Sequence, residues 1–259
     1  AIAHAERVMF LIGTPLENRL SEFESLVSYV QPTLLEGVDA ALAIGGPRAF
    51  REHIAPVYLR RNQLDVLTEL PERIDIDEWV ELAHHDRRAH DRAVRDGNFM
   101  ALRRAAFLAD GQPSAKLERL TEIVVEAFDN SRRVVVFSFF RDVLDTVVDA
   151  LQDRLPVFGP LTGSTPPDKR QSMIDKFSSA EAGGVLVSQV DAGGVGTNIQ
   201  AASVVVLCEP QVKPSSEVQA VARVHRMGQL ERVMVHRLLG ADSVDQRMLA
   251  ILAEKRATF

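Results

Sequence analysis

The chain after residue 113 alternates short apolar runs with segments in which apolar side chains recur at helical spacing. In Ser114–Asp129, for example, Leu117, Leu120, Val124 and Phe128 recur near the helical period. Strands are predicted at Arg133–Phe139, Pro156–Leu161, Gly184–Ser188, Ser203–Leu207 and Val233–Leu238. Further helices are predicted at Arg141–Asp153, Thr165–Phe177, Ser215–Met227 and Val244–Arg256. Apolar strands that alternate with helices are typical of a parallel sheet covered by helices on both faces.

Right-handed crossovers make this segment a doubly wound α/β domain, in which ligands bind at the carboxyl ends of the strands. The preceding segment, from about Glu17 to Gln112, has a helical pattern that is rich in Arg and Glu. Within it, Arg87–Arg104 carries six Arg against two Asp, and we favour a solvated helix face over a binding surface there.

Composition excludes several classes of protein. The 259 residues carry 30 Lys and Arg against 36 Asp and Glu, a formal net charge of −6, which argues against a surface covered in positive charge but not against a local basic groove. The single cysteine, Cys208, excludes a disulfide framework and any multi-cysteine metal site. His84, His85 and His90 lack the spacing of a zinc helix. We expect no metal site in this chain, no membrane span and a cytoplasmic protein.

A glycine-rich loop follows the strand that ends at Ser188. Asp191–Asn198 holds three glycines in four positions, which lets backbone amides approach a phosphate closely. A tight turn between strand and helix explains the glycines equally well. The G-x-G-x-x-G spacing of dinucleotide-binding folds is absent.

A second segment, Gln219–Gln229, places Gln219, Arg223 and Arg226 at i, i+4 and i+7. On a helix these side chains share one face, where two arginines could bind phosphate oxygens in bidentate fashion. The alternative is a pair of arginines that bridges nearby carboxylates such as Glu217. A third segment, Leu11–Arg19, runs from a short apolar stretch into a turn at Gly13 and Thr14.

Taken in order, the three segments resemble the Swi/Snf-type DNA translocases of helicase superfamily two. The motifs are Gly-Thr-Pro-Leu-Glu-Asn at 13–18, Ala-Gly-Gly-Val-Gly-Thr-Asn at 192–198 and Gln-Ala-Val-Ala-Arg-Val-His-Arg-Met-Gly-Gln at 219–229. The similarity continues in the segments between them, at 54–73, 161–170 and 235–239. Ser188-Gln189 and the tract 208–211 are most similar to bacterial members.

The resemblance implies a motor of two RecA-like lobes with ATP in the cleft between them. No Gly-Lys-Ser/Thr phosphate loop occurs in this sequence, and we interpret Asp77-Glu78 as a surface pair rather than as the acidic magnesium motif. We therefore expect residues 1–16 to be the tail of the first lobe, 17–112 a helical protrusion and linker, and 113–259 the complete second lobe. With Ala1 in place of an initiator methionine, this predicts a part of a longer protein.

The resemblance also assigns roles to particular residues. Arg223 and Arg226 would be the catalytic arginine fingers, and the ATP side of the site would include Gln219, Gly194, Gly196 and Asn198. Coupling of hydrolysis to movement would involve Gly13 and Thr14. Contacts with the DNA backbone would come from Ser138, Gly163, Ser164 and Gln189. ATP and Mg²⁺ would be bound mainly by the first lobe, and the partners would be double-stranded DNA and that lobe, in a nucleoid-associated protein.

Two positions depart from the pattern of similar sequences. Val212 stands where Trp is usual, and Thr197 stands where Leu is usual. Two other classes of function stay open. One is a stand-alone binding module that keeps the fold without motor chemistry, and the other is an RNA helicase of the same superfamily.

Overall fold

The structure is a computed structural model of the 259-residue chain and describes residues 8–10, 20–36, 49, 52–59, 70–107, 114–192 and 197–258. The chain divides into two compact units, one of residues 1–66 with 253–259 and the other of residues 67–252. No helix in the described ranges is long and apolar enough to cross a membrane. The predicted residues Gly13 and Thr14 lie outside these ranges, so their coupling role stays a prediction.

The smaller unit contains helix α1, Leu20–Val30, followed by a 3-10 turn at Pro32–Leu35. Phe23 and Val27 on α1 pack against Ile54 in a small apolar cluster. The Phe23 and Tyr58 rings meet edge to face, with 5.5 Å between their centroids.

The larger unit is built on one six-stranded sheet. Its strands are β1 Arg73–Val80, β2 Val134–Ser138, β3 Val157–Leu161, β4 Val185–Gln189, β5 Val204–Leu207 and β6 Val233–Gly240. Their order across the sheet is β1-β6-β5-β2-β4-β3, and every neighbouring pair is parallel. The predicted parallel α/β fold is confirmed, and the carboxyl ends of all six strands lie along one edge.

The helices from residue 84 onward are α2 His84–Arg95, α3 Phe99–Arg104, α4 Ala115–Asp129, α5 Arg141–Leu151, α6 Pro167–Ser179, α7 Pro214–Val221 and α8 Val244–Thr258. Four of them, α4 to α7, cover the two faces of the sheet and form one apolar core on each face. One core packs α4 and α5 against Val134 and Val136, and the other packs α6 and α7 against Val135 and Phe137. Every residue of β2 is therefore buried, which explains its uninterrupted apolar sequence.

Strand β1 corrects the sequence-based expectation of helices throughout residues 17–112. It pairs with β6 along its whole length, from Arg73 opposite Val233 to Val80 opposite Gly240. The sheet therefore takes in a strand from the segment that we assigned to the protrusion, although the predicted domain boundaries stay predictions. Its sequence alternates apolar and charged residues, as expected of a strand at the edge of a sheet.

The interpretation of Asp77-Glu78 as a surface pair was wrong for Glu78. Its carboxylate accepts hydrogen bonds from His236 Nδ1 at 2.8 Å and Arg119 Nε at 3.1 Å. Burial acts to raise the pKa of Glu78, but the hydrogen bonds and positive charges of His236 and Arg119 outweigh burial and lower it. Asp77 is exposed and is paired with Arg237.

Candidate functional site

The arginine segment, Gln219–Gln229, begins in α7 and continues beyond it, and its conformation differs from the prediction. Helix α7 ends at Val221, and Arg223 and Arg226 lie in the irregular turn that follows. The predicted single helix face for Gln219, Arg223 and Arg226 was therefore wrong. The carbonyl oxygen of Arg223 accepts a hydrogen bond of 2.9 Å from Ile199 N, outside the helix, and this replaces a further helical bond.

Arg223 is half-buried beside the end of β4. Its Nη1 donates to the carbonyl oxygen of Val190 at 3.0 Å. Burial lowers the pKa of Arg223, the charge of Asp191 acts against this, and the charge of Arg170 lowers the pKa further. The guanidinium stays a cation at neutral pH and is attached to the first residue after the strand.

Arg226 is also half-buried, but its environment differs. Among the residues that the structure describes, its guanidinium has no hydrogen bond and no ion pair. Gln219 is exposed on α7. The alternative that assigned these arginines to neighbouring carboxylates is not seen for Arg226, while Glu217 forms a bidentate ion pair with Arg237.

Gln229 holds the arginine segment against the loop before β5, a role that the sequence analysis did not assign. Its buried side-chain amide donates to the carbonyl oxygens of Gln200, Ala202 and Val224 at 3.1, 2.9 and 3.3 Å. Its Oε1 accepts from the backbone amides of residues 230 and 231. Gln229 is the last residue of the 219–229 motif, and this position is the sequence signal that could have identified it.

Asn198 and Gln200 close the end of the glycine-rich loop. Asn198 Nδ2 donates to Gln200 Oε1 at 2.7 Å, and Gln200 N donates to Asn198 Oδ1 at 3.2 Å. The Gln200 amide also donates to the carbonyl oxygen of Met227, which joins this loop to the arginine segment. Gly194 and Gly196 lie outside the described residues. The hydroxyl of Thr197, one of the two departures, is buried with no hydrogen-bond partner in the described structure.

Ser138, predicted to contact DNA, is fully buried at the end of β2. Its hydroxyl donates to Glu209 Oε2 at 2.9 Å and accepts from Phe140 N at 3.1 Å. The expected direct contact with DNA is therefore not available to this side chain. The exposed residue of the turn is Phe139, at 37%.

Glu209, which the sequence analysis treated only as part of the 208–211 tract, organises this turn. It is 1% exposed, and its Oε1 accepts from Phe139 N at 2.7 Å and from Gln211 Nε2 at 2.9 Å. Burial raises the pKa of Glu209, and the hydrogen bonds and the charge of Arg103 oppose that effect. Val212, the other departure, is exposed a few residues further along.

Gly163, Ser164 and Gln189 are brought together at the carboxyl edge. Gly163 N donates to Gln189 Oε1 at 3.2 Å, and Gln189 Nε2 donates to the carbonyl oxygen of Phe139 at 3.0 Å. Ser164 is exposed, with its hydroxyl 2.9 Å from that of Thr162. The ends of β2, β3 and β4 thus present hydroxyl and amide groups on one edge, without a charged side chain among these three residues.

The site offers cations and amides rather than metal ligands. Within the described ranges, no group of three or more His, Cys, Asp and Glu side chains is placed to hold a metal ion. Arg223 and Arg226 carry two half-buried guanidinium groups, and that of Arg223 contacts Val190 at the start of the loop that joins β4 to β5. This donor set is suited to a polyanion such as a phosphate chain.

The chain is similar to several known proteins. Residues 115–228 match the family described as the helicase conserved C-terminal domain. An uncharacterized ATP-dependent helicase of Mycoplasma pneumoniae is 30% identical over 95% of this chain and 27% of its own length. A chromodomain-helicase-DNA-binding protein 1-like of Danio rerio is 28% identical over 92% of this chain and 27% of its own length.

Two solved structures have the same fold. The Sulfolobus solfataricus SWI2/SNF2 ATPase core in complex with double-stranded DNA has a TM-score of 0.63 and 23% identity, over 96% of this chain and 61% of that one. The C-terminal part of the Fun30 ATPase domain also has a TM-score of 0.63, with 20% identity over 71% of this chain and 90% of that one.

The sheet has the RecA-like fold of the C-terminal lobe of SWI2/SNF2 ATPases, and residues 115–228 within it match the helicase conserved C-terminal domain. In sequence the chain is similar to ATP-dependent helicases, and in fold to the C-terminal lobe of SWI2/SNF2 ATPases. The chain spans about a quarter of the length of the curated relatives that it matches, 27% for each of the two mycoplasma helicases.

Proposed function

We propose that this lobe completes the ATP site of a double-stranded DNA translocase, with Arg223 and Arg226 as its arginine fingers. The observation that carries the proposal is the half-buried Arg226 guanidinium, which has no partner among the described residues. Arg223, three residues earlier in the chain, is bound to the first residue after β4. Phosphoryl transfer requires compensation of the charge on the γ-phosphate, and an arginine finger contributes roughly 10³–10⁵ in turnover.

The two arginines would act differently. Arg226 has all its donors available to phosphate oxygens in the described structure, whereas Arg223 already donates to Val190 O. A phosphate bound to Arg223 would therefore be linked to the backbone that leads into the glycine-rich loop, on which Gly194, Gly196 and Asn198 are proposed to lie near ATP. Gln219, exposed on the adjoining helix, would contact the phosphates or their bound water.

Mg²⁺ is usually bound by one or two carboxylates together with the phosphates of the nucleotide. Within the described ranges, no group of three or more His, Cys, Asp and Glu side chains is placed to hold a metal ion. When bound with ATP, the ion would neutralise phosphate charge. We propose that a first lobe in the same protein holds it, while the lobe described above supplies guanidinium groups.

The DNA-contacting surface is proposed to be Gly163, Ser164 and Gln189, joined by the backbone of Phe139. Support comes from the exposed hydroxyl and amide groups at one sheet edge and from the similar Sulfolobus ATPase core, which was solved with double-stranded DNA. Such groups bind phosphates without reading bases. The proposed partner is thus the DNA backbone, independent of sequence, and a nucleoid-associated location follows from it.

The test of the arginine fingers uses Arg226→Ala and Arg223→Ala in the full-length protein. We expect DNA-stimulated ATP turnover to fall by about 10³ or more while binding of a fluorescent ATP analogue changes little. The matched control is Arg232→Ala, an exposed arginine of the same region that pairs with Glu72. Normal turnover in Arg226→Ala would contradict the assignment.

A second candidate function, a stand-alone binding module, is favoured by the absence of a Gly-Lys-Ser/Thr loop from this sequence. The reading frame upstream of the chain distinguishes the two. A phosphate loop several hundred residues upstream supports the motor, and its absence supports the module. Comparing ATPase stimulation by duplex DNA with stimulation by RNA separates the proposed translocase from an RNA helicase.

A further inference from the structure

Arg103 of α3 is buried in an aromatic environment at the carboxyl edge of the sheet. It is 3% exposed, and its guanidinium carbon lies 5.0, 5.4 and 6.0 Å from the ring centroids of Phe140, Phe139 and Phe99. Nη2 donates to the carbonyl oxygen of Pro210 at 2.9 Å. Nε is buried and has no hydrogen bond in the described structure. A cation buried this deeply, with one hydrogen bond of its side chain identified, needs compensation from its surroundings.

That compensation comes from the rings and from buried carboxylates. The faces of aromatic rings attract cations, and more strongly where water is excluded. The charges of Glu209 and Asp245 also favour the charged form of Arg103, against the effect of its burial. Glu209 contacts the same turn through the backbone amide of Phe139. Arg103 and Glu209 therefore hold the turn of residues 138–140 through its side chains and through its backbone, respectively.

Phe139 connects this turn to the loops that we propose to contact DNA. Its amide is bound by Glu209 and its carbonyl oxygen by Gln189, and Gln189 also binds the amide of Gly163. The connection from α3 to the Gly163–Ser164 loop thus passes through Arg103, Phe139 and Gln189. Each step is a contact between described residues of one compact unit.

We infer that Arg103 is a positioning residue for the DNA-contacting edge: it orients the Phe139–Phe140 turn and, through Gln189, the Gly163–Ser164 loop. The inference rests on the proposed function where DNA is concerned. Arg103 itself is too deeply buried to touch DNA. Lysine is a poor substitute, because a compact and strongly hydrated ammonium does not stack on several rings as a planar guanidinium does.

The first test is amide hydrogen exchange in the full-length protein without DNA, comparing Arg103→Met with wild type. We expect faster exchange at the amides of Phe139, Phe140 and Gly163, which the network holds. The matched control, Arg95→Met, removes an exposed arginine from the neighbouring helix and should leave these amides unchanged. Faster exchange confined to α3 in Arg103→Met would overturn the inference, whatever the protein binds.

Phe139→Leu is the second variant, because it removes the exposed ring and leaves Arg103 in place. We expect it to speed exchange at Gly163 as well. If Arg103→Met does not fold, unchanged exchange at Gly163 in Phe139→Leu overturns the inference.

The second test measures the DNA concentration that half-maximally stimulates ATP hydrolysis. We expect this DNA concentration to rise about tenfold in Arg103→Met and in Arg103→Lys, when it is measured at a temperature well below the unfolding temperatures of both variants. The double variant Arg103→Met/Phe139→Leu should be no weaker than Arg103→Met alone, because both changes break the same connection. If the effects of the two changes on this DNA concentration multiply in the double variant, Arg103 has a merely structural role. The same conclusion follows if Arg103→Met lowers the unfolding temperature and leaves the DNA dependence normal.

If the wild-type protein shows no stimulation by DNA, the proposed function fails. The exchange experiment then still decides whether Arg103 positions the edge.

Discussion

At the scale of single residues, buried side-chain amides and carboxylates fix the backbone of the loops that form the candidate site. The Gln229 side-chain amide binds backbone groups through both its oxygen and its nitrogen. The Glu209 carboxylate accepts hydrogen bonds from Ser138 Oγ and Phe139 N in the turn after β2. Neither residue is exposed, so neither is a candidate for direct contact with ATP or DNA. Their effect is to fix the backbone on which the exposed groups are carried.

Replacing Gln229 with Ala should therefore cost stability. The change leaves buried carbonyl oxygens and two backbone amides without their partner, and we expect a loss of about 2–3 kcal/mol in the free energy of unfolding. Urea unfolding of the variant measures this. Gln152→Ala, at an exposed glutamine at the end of α5, is the control and should change stability by less than about 0.5 kcal/mol. Equal effects of the two changes would contradict the role given to Gln229.

At the scale of elements, five of the six strands were predictable, and the edge strand β1 was not. Strands β2 to β6 appeared in the sequence within two residues of their positions because mostly apolar runs are typical of a sheet covered on both faces. Strand β1 was missed because charged residues occupy half of it and form ion pairs with α4 and β6. Periodicity likewise extended α7 too far, since contacts with the loop before β5 end that helix.

The candidate site also has features that were predictable from the sequence and features that were not. The meeting of Gly163 and Gln189 at one edge was predictable from sequence, because the carboxyl ends of parallel strands lie along the same edge. Their contact with DNA, and that of Ser164, stays a prediction. The burial of Ser138 and the role of Glu209 depend on a contact between residues 71 positions apart, which no local pattern reveals.

The attachment of β1 should depend on pH through Glu78. Its pKa is lowered in the folded chain, so its contribution to stability is fully present above the unfolded pKa, near 4.5, and is lost as pH falls through the lower folded pKa. We expect Glu78→Gln to lower the free energy of unfolding by about 1 kcal/mol at pH 7. This difference from wild type should shrink below about pH 4.5 in chemical unfolding measured across pH. A difference that is constant with pH would contradict the argument.

At the scale of the whole molecule, the chain carries two half-buried arginines that we propose to bind a phosphate chain, but its sequence contains no Gly-Lys-Ser/Thr phosphate loop. We therefore expect the purified 259-residue chain to hydrolyse no ATP, with or without duplex DNA, in a steady-state phosphate-release assay. Turnover that disappears in Arg226→Ala would show that this lobe acts without a first lobe. The net charge of −6 describes this chain and sets no limit on the charge of the larger protein that we propose.

The close approach of two segments also predicts how their sequences change together. Gly228 has a φ of +95°, and a Cβ there would lie 2.8 Å from Nε2 of Gln200, whose amide closes the neighbouring loop. A side chain at 228 would therefore displace the end of the Gln200 side chain, and the positive φ restricts the substitution chiefly to Asn or Asp. Across an alignment of relatives, the columns for positions 200 and 228 should covary, recording in evolutionary history a contact that lies 28 residues apart in sequence.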